Sequence, residues 1–134
     1  MRKPSPPSFF ALKECLGSKL YDVKFRREGN KLFASHVEGG SYLIEEGAKV
    51  TPGGVKLLAS TAGRGIIKVM DEKKAMLFLY GRDLFSKSFE VIKKPCKRGY
   101  VLVYWEDVLL GLALLKTNMA INLVDFGIFL RRGY

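Results

Sequence analysis

The chain has 134 residues, a formal net charge of +10 at pH 7 and 48% hydrophobic residues. That hydrophobic share excludes a disordered chain, and the length allows one domain of usual size or two small ones sharing an interface. Residues 1–65 carry 11 Lys/Arg against 6 Asp/Glu and residues 66–134 carry 12 against 7, so the charge decorates a folded body rather than a detachable tail.

A basic body calls for an anionic partner, and nucleic acid is the commonest; the bland alternative is a basic protein with no polyanion partner. The opening Met1-Arg2-Lys3-Pro4-Ser5-Pro6-Pro7 is basic but lacks the apolar run of a secretory leader. Residues 4–7 are extended, and Ser8 then caps a short helix over residues 9–16 with Gly17 past its end. Residues 20–27 read as an imperfectly alternating strand, Glu28-Gly29-Asn30 as a turn, and residues 31–37 as the return strand. Another turn at Glu38-Gly39-Gly40 leads to a strand at residues 41–44, giving a small meander packed on one helix. Beyond it, Glu45-Glu46 falls in a turn, Thr51-Pro52-Gly53-Gly54 in another, residues 55–58 read as a strand, and Ala62-Gly63-Arg64-Gly65 as a linker. The domain boundary goes there, separating residues 1–65 from residues 66–134.

The second half carries sharper signals. Residues 66–70 are strand-like, Asp71 caps a helix with Glu72 in its first turn, and the helix runs through Tyr80 to a left-handed stop at Gly81. Residues 89–92 form a short strand and residues 93–99 a basic loop. The most apolar stretch, residues 100–115, is interrupted by Glu106-Asp107 and is shorter than the roughly 18 residues of a membrane span. It reads as two buried strands joined by a hairpin turn, with no membrane partner. A last short strand falls at residues 128–130.

The segment from Lys68 through Phe78-Leu79-Tyr80-Gly81 to Leu84 resembles the opening of a PUA domain. Gly99-Tyr100-Val101-Leu102-Val103-Tyr104 followed by Leu110-Gly111-Leu112-Ala113 is similar to that module's later hairpin, in which a strand glycine lets backbones approach closely. The ending from Asn122 through Asp125-Phe126-Gly127 to Leu130-Arg131-Arg132 resembles its closing turn and strand. Phe78-Leu79-Tyr80-Gly81 and the closing pattern most resemble the Nip-seven family of small ribosome-biogenesis proteins and its archaeal relatives, whose N-terminal domain looks longer than residues 1–65. The resemblance implies an α+β protein, a small N-terminal helix-plus-strands domain followed by a C-terminal PUA-like mixed β-barrel. It further implies an RNA face around the turn after Tyr80 and near the final strand.

Charge agrees with that placement. Between Arg82 and Tyr100 lie Arg82, Lys87, Lys93, Lys94, Lys97 and Arg98 against Asp83 and Glu90, and Arg131 and Arg132 follow the last strand. These cations are the candidate phosphate contacts, with solvation of a turn as the alternative for the Lys93–Arg98 group. Arg82 could instead pair with Asp83 or Asp125. Tyr80 is a candidate base-stacking ring, although the last apolar residue of an amphipathic helix more often belongs to the core. Trp105 reads as packing rather than an interface anchor, and Phe78, Leu79, Val101, Val103 and Leu112 as core. Lys24, Arg26, Arg27 and Lys31 make a second basic patch on the first hairpin, solvated or widening the contact surface.

Catalytic signals are missing. His36 is the one histidine, and with Cys15 and Cys96 it offers too few ligands for a zinc site. No GxSxG, GxxxxGK[ST] or GxGxxG occurs, and Gly63-Arg64-Gly65 is too short to cradle phosphates. The cysteines lie far apart without a CxxC, so free thiols in a reducing cytoplasm are the default, with a Cys15–Cys96 disulfide left open. Absence of Gln and only three Asn point to a thermophile. The expectation is therefore a cytoplasmic, non-catalytic RNA-binding protein without cofactor or metal, its RNA being rRNA or pre-rRNA. Two rivals are a protein-interaction subunit docking through the N-terminal domain and an RNA-binding subunit of a modification enzyme.

Overall fold

The computed structural model of the chain describes residues 3–37 and 39–127. Helix α1 (Phe9–Leu16) forms where expected: the Ser8 hydroxyl accepts from the Ala11 N–H, and Gly17 ends the helix in the left-handed conformation. A meander follows, β1 (Val23–Glu28), β2 (Lys31–His36), β3 (Ser41–Glu46) and β4 (Lys49–Val50), paired antiparallel in sequence order. Glu45 is not in a turn. It is buried in β3, where its carboxylate accepts the Phe9 N–H at 2.7 Å and so satisfies a free donor at the start of α1.

The turn and strand expected after Thr51 are instead one helix, α2 (Pro52–Ala59). Thr51 caps it by accepting the Gly54 N–H, and Pro52 takes the first helical position, which needs no donor. Packing makes the choice. The Thr51 hydroxyl donates to the Leu43 carbonyl at 2.8 Å, and a side chain at Gly54 would run into the Ile44 carbonyl oxygen. The two glycines that look like a turn let α2 press against the backbone of β3.

The second half contributes β5 (Ile66–Val69), α3 (Glu72–Leu79), β6 (Leu84–Phe85), a 3-10 turn (Ser86–Ser88), β7 (Phe89–Lys93), β8 (Tyr100–Trp105), β9 (Val108–Leu115) and β10 (Met119–Asp125). Their sheet order is β6-β10-β9-β8-β5-β7, antiparallel except for the parallel β5–β8 pair. The edge strands β6 and β7 are joined by only three residues, and the Met70 N–H donates to the Ser88 carbonyl at 2.9 Å. A sheet whose two edges meet this way must curl, and the result is a half-barrel in an α+β fold. β10 was not expected; the strand expected at residues 128–130 lies outside the described residues. In β9, a side chain at Gly111 would collide with the Val124 carbonyl across the ladder, the close approach expected of that glycine.

The two faces of the curled sheet bury different cores. Ile67, Val69, Phe78, Val101, Val103 and Ala113 fill the barrel side beneath α3. Leu102, Leu112 and Val124 join Phe9, Leu12, Leu16, Ile44, Val55 and Leu58 on the other. This second core draws on residues from both sides of Gly65. One bond crosses the same junction: Cys15 and Cys96 form a disulfide with Cα atoms 5.3 Å apart, correcting the expectation of free thiols. Among the described residues no helix is long and apolar enough to cross a membrane.

Candidate nucleic-acid interface

The turn from α3 into β6 is built by the end of the helix. Tyr80 caps α3, the Gly81 N–H donates to the Phe78 carbonyl at 2.9 Å, and the Arg82 N–H donates to the Leu77 carbonyl at 3.1 Å. That pair of bonds needs a residue at φ +89°, which only glycine takes without strain. Buried Asn122 on β10 holds the turn from below: its amide donates to the Phe78 carbonyl at 2.9 Å and the Arg82 carbonyl at 3.4 Å. The Asn122 backbone N–H donates to the Asp83 carboxylate at 2.8 Å.

Beside this turn opens a cavity of about 330 Å³ lined by Lys74, Leu77, Arg82, Asp83, Phe85 and Met119, together with the buried Leu84 and Ser88. Its rim mixes cations with exposed apolar surface: Phe85 is 67% exposed and Tyr80, on the same turn, 60%. Tyr80 is therefore not core, because the helix has already turned its buried face, Ala75 and Phe78, toward the barrel. Asp83 pairs with neither Arg82 nor a neighbour in sequence. Its partner is Lys3 at 3.0 Å, whose ammonium also donates to the Gly81 carbonyl at 3.4 Å. No ion pair among the described residues engages Arg82, which leaves its guanidinium available to an external anion.

The family model of the UPF0113 PUA domain matches residues 66–134, half of the chain and every element from β5 onward. The chain belongs to the UPF0113 PUA domain family. No curated protein and no solved structure matches it. A PUA domain is generally an RNA-binding domain, and in this UPF0113 PUA half the cavity beside Arg82 is flanked by the residue types that RNA contacts use: cations for phosphates, exposed rings for unpaired bases.

The remaining candidate residues divide. Tyr80 and Arg82 stand together on the α3–β6 turn, and Lys87 is exposed in the 3-10 turn beside Ser88 of the cavity wall. Lys93 and Lys94 are exposed at the end of β7, on the opposite sheet edge. Lys97 and Arg98 line a different cavity, against α1, where the disulfide tethers their loop. Arg131 and Arg132 lie outside the described residues. Lys3 and Lys74 were missed. Lys74 sits one residue before Ala75 on the expected helix and was legible as a neighbour of Arg82, whereas nothing local to Lys3 announces its distant partner.

Proposed function

We propose that this chain is a non-catalytic RNA-binding protein that grips RNA at the α3–β6 turn. The observation that carries the reading is an Arg82 side chain, free of ion pairs among the described residues, lining a cavity with Lys74 and the exposed Phe85 inside the PUA half. Arg82, Lys74 and Lys87 contact phosphates, which supply most of the affinity, while Tyr80 and Phe85 stack on unpaired bases and supply selectivity. The bound RNA is rRNA or its precursor, and the role is ribosome assembly; the similarity of residues 78–81 and of the closing segment to the Nip-seven family supports this choice. We place the protein in the cytoplasm of a thermophile, where intracellular disulfides occur and where few amide side chains are expected.

The test is fluorescence anisotropy on ribosomal and control RNA fragments across several salt concentrations. Wild type runs beside a Lys74→Ala/Arg82→Ala variant. Each lost phosphate contact on single-stranded RNA lowers the log–log salt slope by about 0.7, so the variant flattens it by about 1.4 and binds more weakly. Equal slopes and affinities remove the turn as the RNA site, and no binding by wild type at low salt removes the function.

A further inference from the structure

Helix α1 stands between two surface features that the turn site leaves unused. On one flank, Phe10 and Phe25 are 45% and 41% exposed, their ring centroids 5.3 Å apart and edge to face. Both rest edge-on against the fully buried Phe9, at 5.2 and 6.0 Å, so the exposed rings are held by a ring of the core. On the other flank, Ala11, Glu14 and Cys15 of α1 face Cys96, Lys97 and Arg98 across a cavity of about 260 Å³. At about 100° per residue, the order around the helix surface is Phe10, Glu14, Ala11, Cys15. The aromatic flank and the cationic flank are thus separated by little more than the solvent face of one short helix. The Cys15–Cys96 bond keeps the cations of the loop beside it.

Such a surface has the chemistry of a single-strand platform. Rings held by packing lose little freedom on stacking, and flat π-faces accept any unpaired base. Lys97 and Arg98 outnumber the Glu14 carboxylate in the cavity, so the rim of the strip favours an anion. Edge strand β1 adds Arg27, two positions from Phe25 and so on the same face, already paired in the free protein with Glu45 at 3.5 Å. An apolar peptide would use the rings but would gain nothing from the cations.

We propose that the strip across α1 is a second contact surface for single-stranded RNA, with unpaired bases stacked on Phe10 and Phe25 and neighbouring phosphates held by Lys97 and Arg98. This rests on the RNA-binding reading above and extends it from the turn to the opposite sheet edge. It also gives Lys97 and Arg98 a role apart from Arg82, whose cavity they do not share.

The experiment measures anisotropy of a labelled single-stranded RNA of about 12 nucleotides, within the range one such surface covers, and of a duplex RNA of the same length. Phe10→Leu/Phe25→Leu keeps apolar packing on Phe9 while removing the π-faces. It should weaken single-strand binding about five-fold or more and leave duplex binding unchanged. Lys97→Ala/Arg98→Ala should flatten the single-strand salt slope by about 1.4. A folded leucine variant that binds the single strand like wild type overturns the strip, and so does an equal loss on the duplex. If Lys74→Ala/Arg82→Ala still weakens binding in that case, the RNA reading stands and only this surface is lost. No RNA binding by wild type fails both. Should the double leucine variant not fold, crosslinking of 4-thiouridine RNA to wild type decides: crosslinks mapped to peptides holding Phe10 or Phe25 support the strip, and their absence there overturns it.

Discussion

Replacing Cys15 and Cys96 together by alanine opens a covalent loop that spans 81 positions of the sequence. Alanine is the better choice over serine, because Cys15 is nearly buried and a hydroxyl there would lose its water. Closing a loop of this length removes roughly 15 cal/mol/K of entropy from the unfolded chain, or about 4.5 kcal/mol at 25 °C. Unfolding 134 residues at about 2.1 cal/mol/K each gives an entropy near 0.28 kcal/mol/K, so the variant should melt about 16 °C below the oxidised protein. Calorimetry of oxidised wild type, reduced wild type and the variant makes the measurement, with thiol alkylation under denaturing conditions to count free cysteines. The last two should melt together, and their urea m-values should rise as the unfolded chain expands. A difference under about 5 °C between variant and oxidised wild type would refute the reasoning. The bridge would then not stabilise the fold by restricting the unfolded chain.

Three further outcomes follow from single contacts. Asn122→Ala removes the buried amide that donates to the Phe78 carbonyl at 2.9 Å and to the Arg82 carbonyl at 3.4 Å, leaving the Gly81 N–H as the donor to Phe78, and should cost about 1 kcal/mol or more in urea unfolding; a midpoint unchanged within error would show that the amide adds nothing to the turn. Gly54→Ala drives a methyl into the Ile44 carbonyl and the Val50 side chain, and should cost about 1–3 kcal/mol by the same assay. Burial raises the Tyr104 phenol above its ordinary value of 10.0, as it does that of Tyr42. The folded chain therefore keeps these protons longer than the unfolded one. Their contribution is complete below pH 10 and is lost as pH rises through the raised folded values. Tyr104→Phe should make the alkaline fall in stability shallower, and an unchanged fall in urea midpoints above pH 10 would count against the burial effect.

The parts of this protein that could be read from its sequence are those in which cause and effect lie within a few residues. Ser8 and Asp71 bond N–H groups three positions on, and Gly17 and Gly81 stop the same eight-residue helices at their far ends, so α1 and α3 were legible to within a residue. The β8–β9 hairpin was legible because two apolar runs flank Glu106-Asp107, and the even spread of basic charge was a matter of composition. Thr51-Pro52-Gly53-Gly54 was ambiguous in principle: its local signals serve a turn and a helix start equally, and the Leu43 and Ile44 carbonyls of β3 decide between them. Tyr80 looked like core because helix periodicity does not say which way the last turn faces. Only the tertiary structure brings Lys3 to Asp83, Cys15 to Cys96, and Lys97 and Arg98 to α1 instead of to Arg82. Those meetings depend on the order β6-β10-β9-β8-β5-β7, which sets the strands after α3 at opposite edges of one curled sheet. Strand order is chosen by the burial of both sheet faces at once, and no local run of residues encodes it.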